Sequence, residues 1–145
     1  MPHLQIETNV PAENIQDGAI CNLISTVSEV LTADPKYVSV SIRPNVIMGL
    51  GCPDYAEEPC AQVTLYSMGK TGAVENIIIA KKLTPVISRA LGLQEDRFKI
   101  TFVDKANHEV AWQGTTFAEH FRKCMKNARP HFFSQTSVTI MNGFM

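Results

Sequence analysis

Apolar and polar residues alternate along Leu4, Ile6 and Thr8 against Gln5, Glu7 and Asn9, which predicts a strand with one buried face, ended by Pro11. From about Glu13 the period lengthens. Ile15, Ala19, Leu23, Val27 and Leu31, with Ile20, Ile24 and Val30, fall on one helical stripe that stops before Asp34-Pro35. Val38, Val40 and Ile42 then alternate with Ser39, Ser41 and Arg43, completing a β-α-β unit. After a looser stretch from Pro44 to Pro59 the order repeats. Ala61, Val63 and Leu65 alternate with Gln62, Thr64 and Tyr66, and a helix follows from near Ala73 with Ile79, Leu83, Val86, Ile87, Ala90 and Leu91 on its stripe. Gly92 suits a left-handed C-terminal cap, and Pro85 predicts a kink in that helix. Phe98, Ile100 and Phe102 alternate with Lys99, Thr101 and Val103 as a fourth strand.

Two such units predict an α+β fold: a four-stranded mixed sheet with two helices on one face, because each amphipathic stripe needs an apolar surface to cover. The other sheet face is left open. With apolar or semi-polar side chains on it, that face predicts self-association into a closed ring. The expected domain spans 1–117, followed by a C-terminal helical extension, 118–145, packed on it. Thr116 and Glu119 have capping-box spacing, and Phe117, Phe121, Cys124 and Ala128 make a stripe on a short helix. Beyond Arg129-Pro130, Phe132, Phe133, Val138, Ile140 and Phe144 are too apolar for a solvated tail.

At 145 residues the chain can bury a core without disulfides or a structural metal. Thirteen Lys and Arg against fourteen Asp and Glu leave a net charge of -1, so no global field recruits nucleic acid or an anionic membrane. No apolar run approaches the ~20 residues of a membrane span, and the N-terminus lacks the regions of a signal peptide. A cytoplasmic protein is expected. Cys21, Cys52, Cys60 and Cys124 form no CxxC pair, and His3, His108, His120 and His131 lack metal-ligand spacing, so neither a metal nor another cofactor is expected.

The candidate chemistry is at the start. Methionine is usually trimmed before a small residue, and trimming Met1 would leave Pro2 as a terminal secondary amine at a strand's beginning. An α-amino group titrates near ~7.7 to 8.0, and an apolar pocket or a nearby cation lowers that value, so neutral base is available near pH 7.

Around this Met-Pro the chain resembles the family of macrophage migration inhibitory factor and D-dopachrome tautomerase. The resemblance rests on Thr8-Asn9-Val10-Pro11, Arg43-Pro44, Glu58-Pro59-Cys60-Ala61-Gln62, Ser67-Met68-Gly69-Lys70, Asp96-Arg97, and Trp112 with Thr116-Phe117, over about Pro2 to Phe117. It implies a homotrimer with the terminal proline in a pocket between subunits. It also implies a keto-enol tautomerase, with Pro2 as base and acid on aromatic α-keto acids such as phenylpyruvate or on dopachrome derivatives. Met68 takes the place of an aliphatic pocket residue. Other positions depart from the family. A carboxylate-binding lysine is replaced by Ala33, with Lys36 close by in sequence, and a tyrosine and an asparagine contributed by the neighbouring subunit read Lys99 and Thr101. Lys70 matches a family position as a supporting charge. Trp112 and Phe117 are candidates for the pocket rim. Cys60 keeps the first cysteine of the family's CxxC pair while Val63 replaces the second, which argues against thiol-disulfide exchange.

The alternative is a cytokine-like signalling protein with a vestigial pocket, acting on a cell-surface receptor after release by a route that needs no signal peptide. An RNA-binding platform of the same two-unit kind needs stacked aromatics and a basic footprint. Gln62, Thr64 and Thr101 supply neither.

Overall fold

A computed structural model of the chain describes residues 1–51 and 53–127. Two compact units divide between Lys105 and Ala106. In the first, strands β1 (His3–Thr8), β2 (Ser39–Arg43), β3 (Ala61–Ser67) and β4 (Phe98–Asp104) form one sheet in the order β2-β1-β3-β4. Each β-α-β crossover makes its own two strands parallel, β1 with β2 and β3 with β4, and the two units meet through the antiparallel pair β1 and β3. The sheet is therefore mixed, with helices α1 (Ala19–Leu31) and α2 (Ala73–Leu91) covering one face. Leu4, Ile6, Val63 and Leu65 of the central strands are fully buried against Leu23, Val27, Leu83 and Ile87 of the helices.

The uncovered face is more polar than the pattern suggested. The register sets Arg43, Glu7, Gln62 and Lys99 in one row and Ser41, Gln5, Thr64 and Thr101 in the next. Arg43 pairs with Glu7 at 3.3 Å, and Gln62 Nε2 donates to Thr101 Oγ1 at 3.3 Å.

Helix α1 starts later than its stripe implies. Gly18, at φ 77°, sits in the left-handed region just before Ala19, so Ile15 lies outside the helix, and Ile20 faces solvent. Helix α2 is assigned as one helix from Ala73 to Leu91 with Pro85 inside it. Pro85 is on the solvent side, where water can satisfy the carbonyl that loses its helical donor. Gly92 caps α2 at φ 65°, its N–H returning to the Ser88 carbonyl.

In the second unit, β5 (Ala111–Trp112) and β6 (Thr115–Thr116) pair as a hairpin. Its two-residue turn, Gln113-Gly114, has positive φ at both positions, the geometry that matches the twist of the flanking strands. Helix α3 (Phe117–Asn127) follows; Glu119 N–H donates to Thr116 Oγ1 at 3.2 Å, the N-cap half of a capping box, while the Glu119 carboxylate accepts from Arg122 Nε at 2.7 Å. Phe117 is buried, with its ring 5.9 Å from that of Phe121. Ala128 and the apolar positions from Phe132 to Phe144 lie outside the described residues, as does Cys52.

Candidate active site at the start of strand β1

Pro2 immediately precedes β1, where a residue without an N–H costs the sheet no ladder bond. Its carbonyl accepts the Ser39 N–H at 3.1 Å, tying it to β2. Pro2 is buried, in phase with Leu4 and Ile6 on the helix-covered side. With Met1 in place the Pro2 nitrogen is an amide, and the terminal amine belongs to Met1. Burial first and the Lys70 ammonium second hold that amine below its ordinary value. Removing Met1 would transfer the amine to a more deeply buried residue.

The antiparallel register pairs His3 with Tyr66, so the exit of β3 through Ser67, Met68, Gly69 and Lys70 runs alongside the chain's first residues. Gly69, at φ 74°, makes the turn possible, and its N–H donates to Asp104 Oδ1 at 2.9 Å. Met68 is half-buried beside this turn. Lys70 Nζ then reaches the carbonyl of Thr32 at 3.1 Å. Thr32 is the left-handed cap residue of α1, at φ 49°, and a cation there meets the negative end of the helix dipole. A cavity of about 170 Å³ opens beside this contact, lined by Val30, Leu31, Thr32, Lys70, Glu75, Ile78 and Ile79.

The other sequence candidates fall elsewhere. Ala33 is half-buried and packs against the core. Lys36 lies 3.7 Å from Asp34 and stacks over the Tyr37 ring. Lys99 and Thr101 are exposed on the open face. Lys99 sits opposite Gln62, which pairs with Glu7, five residues along β1 from Pro2 and so roughly 17 Å away. One chain therefore does not bring Lys99 to Pro2. Trp112 and Phe117 belong to the second unit, Trp112 exposed and Phe117 buried.

The sequence reading gave Lys70 only a supporting role and missed a cluster on the open face. His3 stacks on Tyr66 with centroids 6.0 Å apart, and its Nδ1 lies 2.7 Å from Ser39 Oγ. The signal was there, since His3 and Tyr66 both occupy outward phases of adjacent strands. Among the described residues no group of His, Cys, Asp or Glu could hold a metal ion.

Paired β-α-β units, a mixed sheet and a proline at the head of β1 place the chain in the tautomerase superfamily. Residues 1–118 match the macrophage migration inhibitory factor family, to which the chain belongs. The factor from Rattus norvegicus is 30% identical over 118 residues, covering 81% of this chain and all of the relative. A homolog from Brugia malayi is 31% identical over 117 residues, covering 81% of this chain and 99% of the relative. The solved structure from Trichinella spiralis superposes with a TM-score of 0.72 at 26% identity, over 79% of this chain and 98% of its own.

Proposed function

We propose that the protein is a keto-enol tautomerase in which Pro2, freed by removal of Met1, is the catalytic base. The observation that carries this reading is a buried proline at the head of β1, beside a terminal amine lowered by burial and by Lys70. A neutral secondary amine there removes the proton beside the carbonyl of an aromatic α-keto acid and returns it to the conjugated system. Such acid-base work contributes roughly 10² to 10⁴ in rate. Family membership supports the reading. Lys99 and Thr101, distant from Pro2 within one chain, would reach the site only from a second copy, as in a homotrimer.

The test is enol-keto conversion of phenylpyruvate followed by absorbance. Processed protein should turn over, while Pro2→Gly and a form retaining Met1 should each lose roughly 10² to 10⁴ in rate. The rate should rise with pH along a single limb as the Pro2 amine loses its proton, and the Pro2→Gly variant should move that limb. Equal rates in all three forms would exclude the proline base. A cytokine-like signalling role with a vestigial pocket is the second reading, favoured by the apolar Ala33 at the family's lysine position. It takes over if no form turns over.

A further inference from the structure

We propose that Lys70 is the cation that binds the substrate's carboxylate, relocated from the helix end to the turn after β3. This rests on the tautomerase reading and adds to it a specificity residue. The helix-end position that resemblance assigns to a lysine is Ala33, whose side chain packs against the core and offers no charge. Its neighbour Thr32 is where a cation is nevertheless found. The left-handed conformation of Thr32 presents a carbonyl that Lys70 Nζ reaches at 3.1 Å. Gly69, at φ 74°, aims the chain there.

An ammonium carries three donors, and the Thr32 carbonyl takes one. Two remain for a carboxylate. The cavity beside them, about 170 Å³, has an ammonium at Lys70 and apolar walls at Val30, Leu31, Ile78 and Ile79, a composition that fits an anionic group joined to a hydrophobic body. Its anion is Glu75, which an incoming carboxylate must tolerate. Lys70 follows directly on the exit of β3, which the pairing of His3 with Tyr66 sets alongside the chain's first residues. By contrast Lys36 is drawn to Asp34 and Tyr37.

Lys70 as a simple helix-end cap predicts a different result from Lys70 as a ligand, and comparing an acid with its ester separates them. In processed full-length protein, Lys70→Met should raise KM for phenylpyruvate about ten- to a hundredfold, the loss of one charge-assisted hydrogen bond. KM for the methyl ester should stay within a few-fold, and any change in kcat from the lost charge beside the amine should be shared by acid and ester, so the readout is the ratio of their KM values. Lys70→Arg should recover most of the loss, and Glu75→Gln should lower KM for the acid. If Lys70→Met fails to fold, Lys70→Gln, which keeps a donor for Thr32, carries the same comparison. Equal effects on the two KM values, or none on either, would overturn the proposal. NMR titration with 3-phenylpropanoate separates this from the tautomerase reading. Lys70-dependent binding without turnover sinks the enzyme and keeps the site; turnover with Lys70-independent binding does the reverse.

Discussion

Arg97 shows how much one side chain can fix. Its guanidinium donates to the carbonyls of Leu50, Tyr55, Glu58 and Pro59, at 2.9 to 3.1 Å, and so fastens the loop between β2 and β3 from one side. From the other side Asn9 bonds the Glu57 and Glu58 carbonyls and the Cys60 N–H, while buried Thr8 Oγ1 donates to the Cys60 carbonyl at 2.7 Å. Thr8-Asn9 and Asp96-Arg97, which entered as marks of resemblance, are thus explained in part by loop architecture rather than by chemistry. A planar fork with five donors can serve four carbonyls, and a lysine cannot. Arg97→Lys should therefore destabilise the fold by roughly 1.5 to 3 kcal/mol, the worth of a charged hydrogen bond, read from urea unfolding. Faster amide exchange confined to residues 45–60 should accompany it. A variant indistinguishable from the parent in both would remove the clamp. Sequence could name Arg97 but not its role, because its partners are backbone carbonyls that carry no side-chain signature.

Among the elements, periodicity was a sound guide wherever burial sets the pattern. Leu4, Ile6, Val63 and Leu65 alternate because the helices cover only their face, and Leu23, Val27, Leu83 and Ile87 recur because the sheet lies beneath them. It was a poor guide where backbone conformation decides. Ile15 continues the stripe of α1 but Gly18 starts the helix after it, and the turn at Gln113 uses a residue with no special preference for positive φ. Pro85 is the instructive case, since its solvent-side placement lets α2 continue at a local cost. Replacing it by Ala restores a backbone donor in a helix interior. Proline there costs about 3 kcal/mol relative to Ala, partly offset by about 0.4 to 1 kcal/mol of unfolded-state restriction. Pro85→Ala should thus raise the thermal midpoint without altering turnover. A lowered midpoint would mean that the proline ring packs against something the helix needs.

For the whole molecule, the arrangement of site residues makes self-association a functional question. Pro2 lies at the head of β1 on the helix side, whereas Lys99 is exposed on the open face near the other end of the sheet. A distance of roughly 17 Å along a strand cannot be closed by side-chain motion within a folded sheet. If Lys99 and Thr101 serve the site, they do so from another copy. The open face supplies little apolar drive beyond Tyr66 and Val103, because its rows are Arg43, Glu7, Gln62 and Lys99, then Ser41, Gln5, Thr64 and Thr101, then Ser39, His3, Tyr66 and Val103. Association would instead use the edge strands β2 and β4, which end the sheet among the described residues. Sedimentation at micromolar concentration should then report three times the 16.0 kDa chain, and turnover per chain should fall on dilution in step with loss of that species. Mixing chains sharpens the test. Combining Pro2→Gly chains with Lys99→Ala chains before reassembly pairs an intact proline with an intact lysine at some shared sites, so activity should exceed the sum of the two alone. Activity that is independent of dilution in a persistent monomer would place the whole site within one chain, and leave Lys70 and Pro2 to carry it without Lys99.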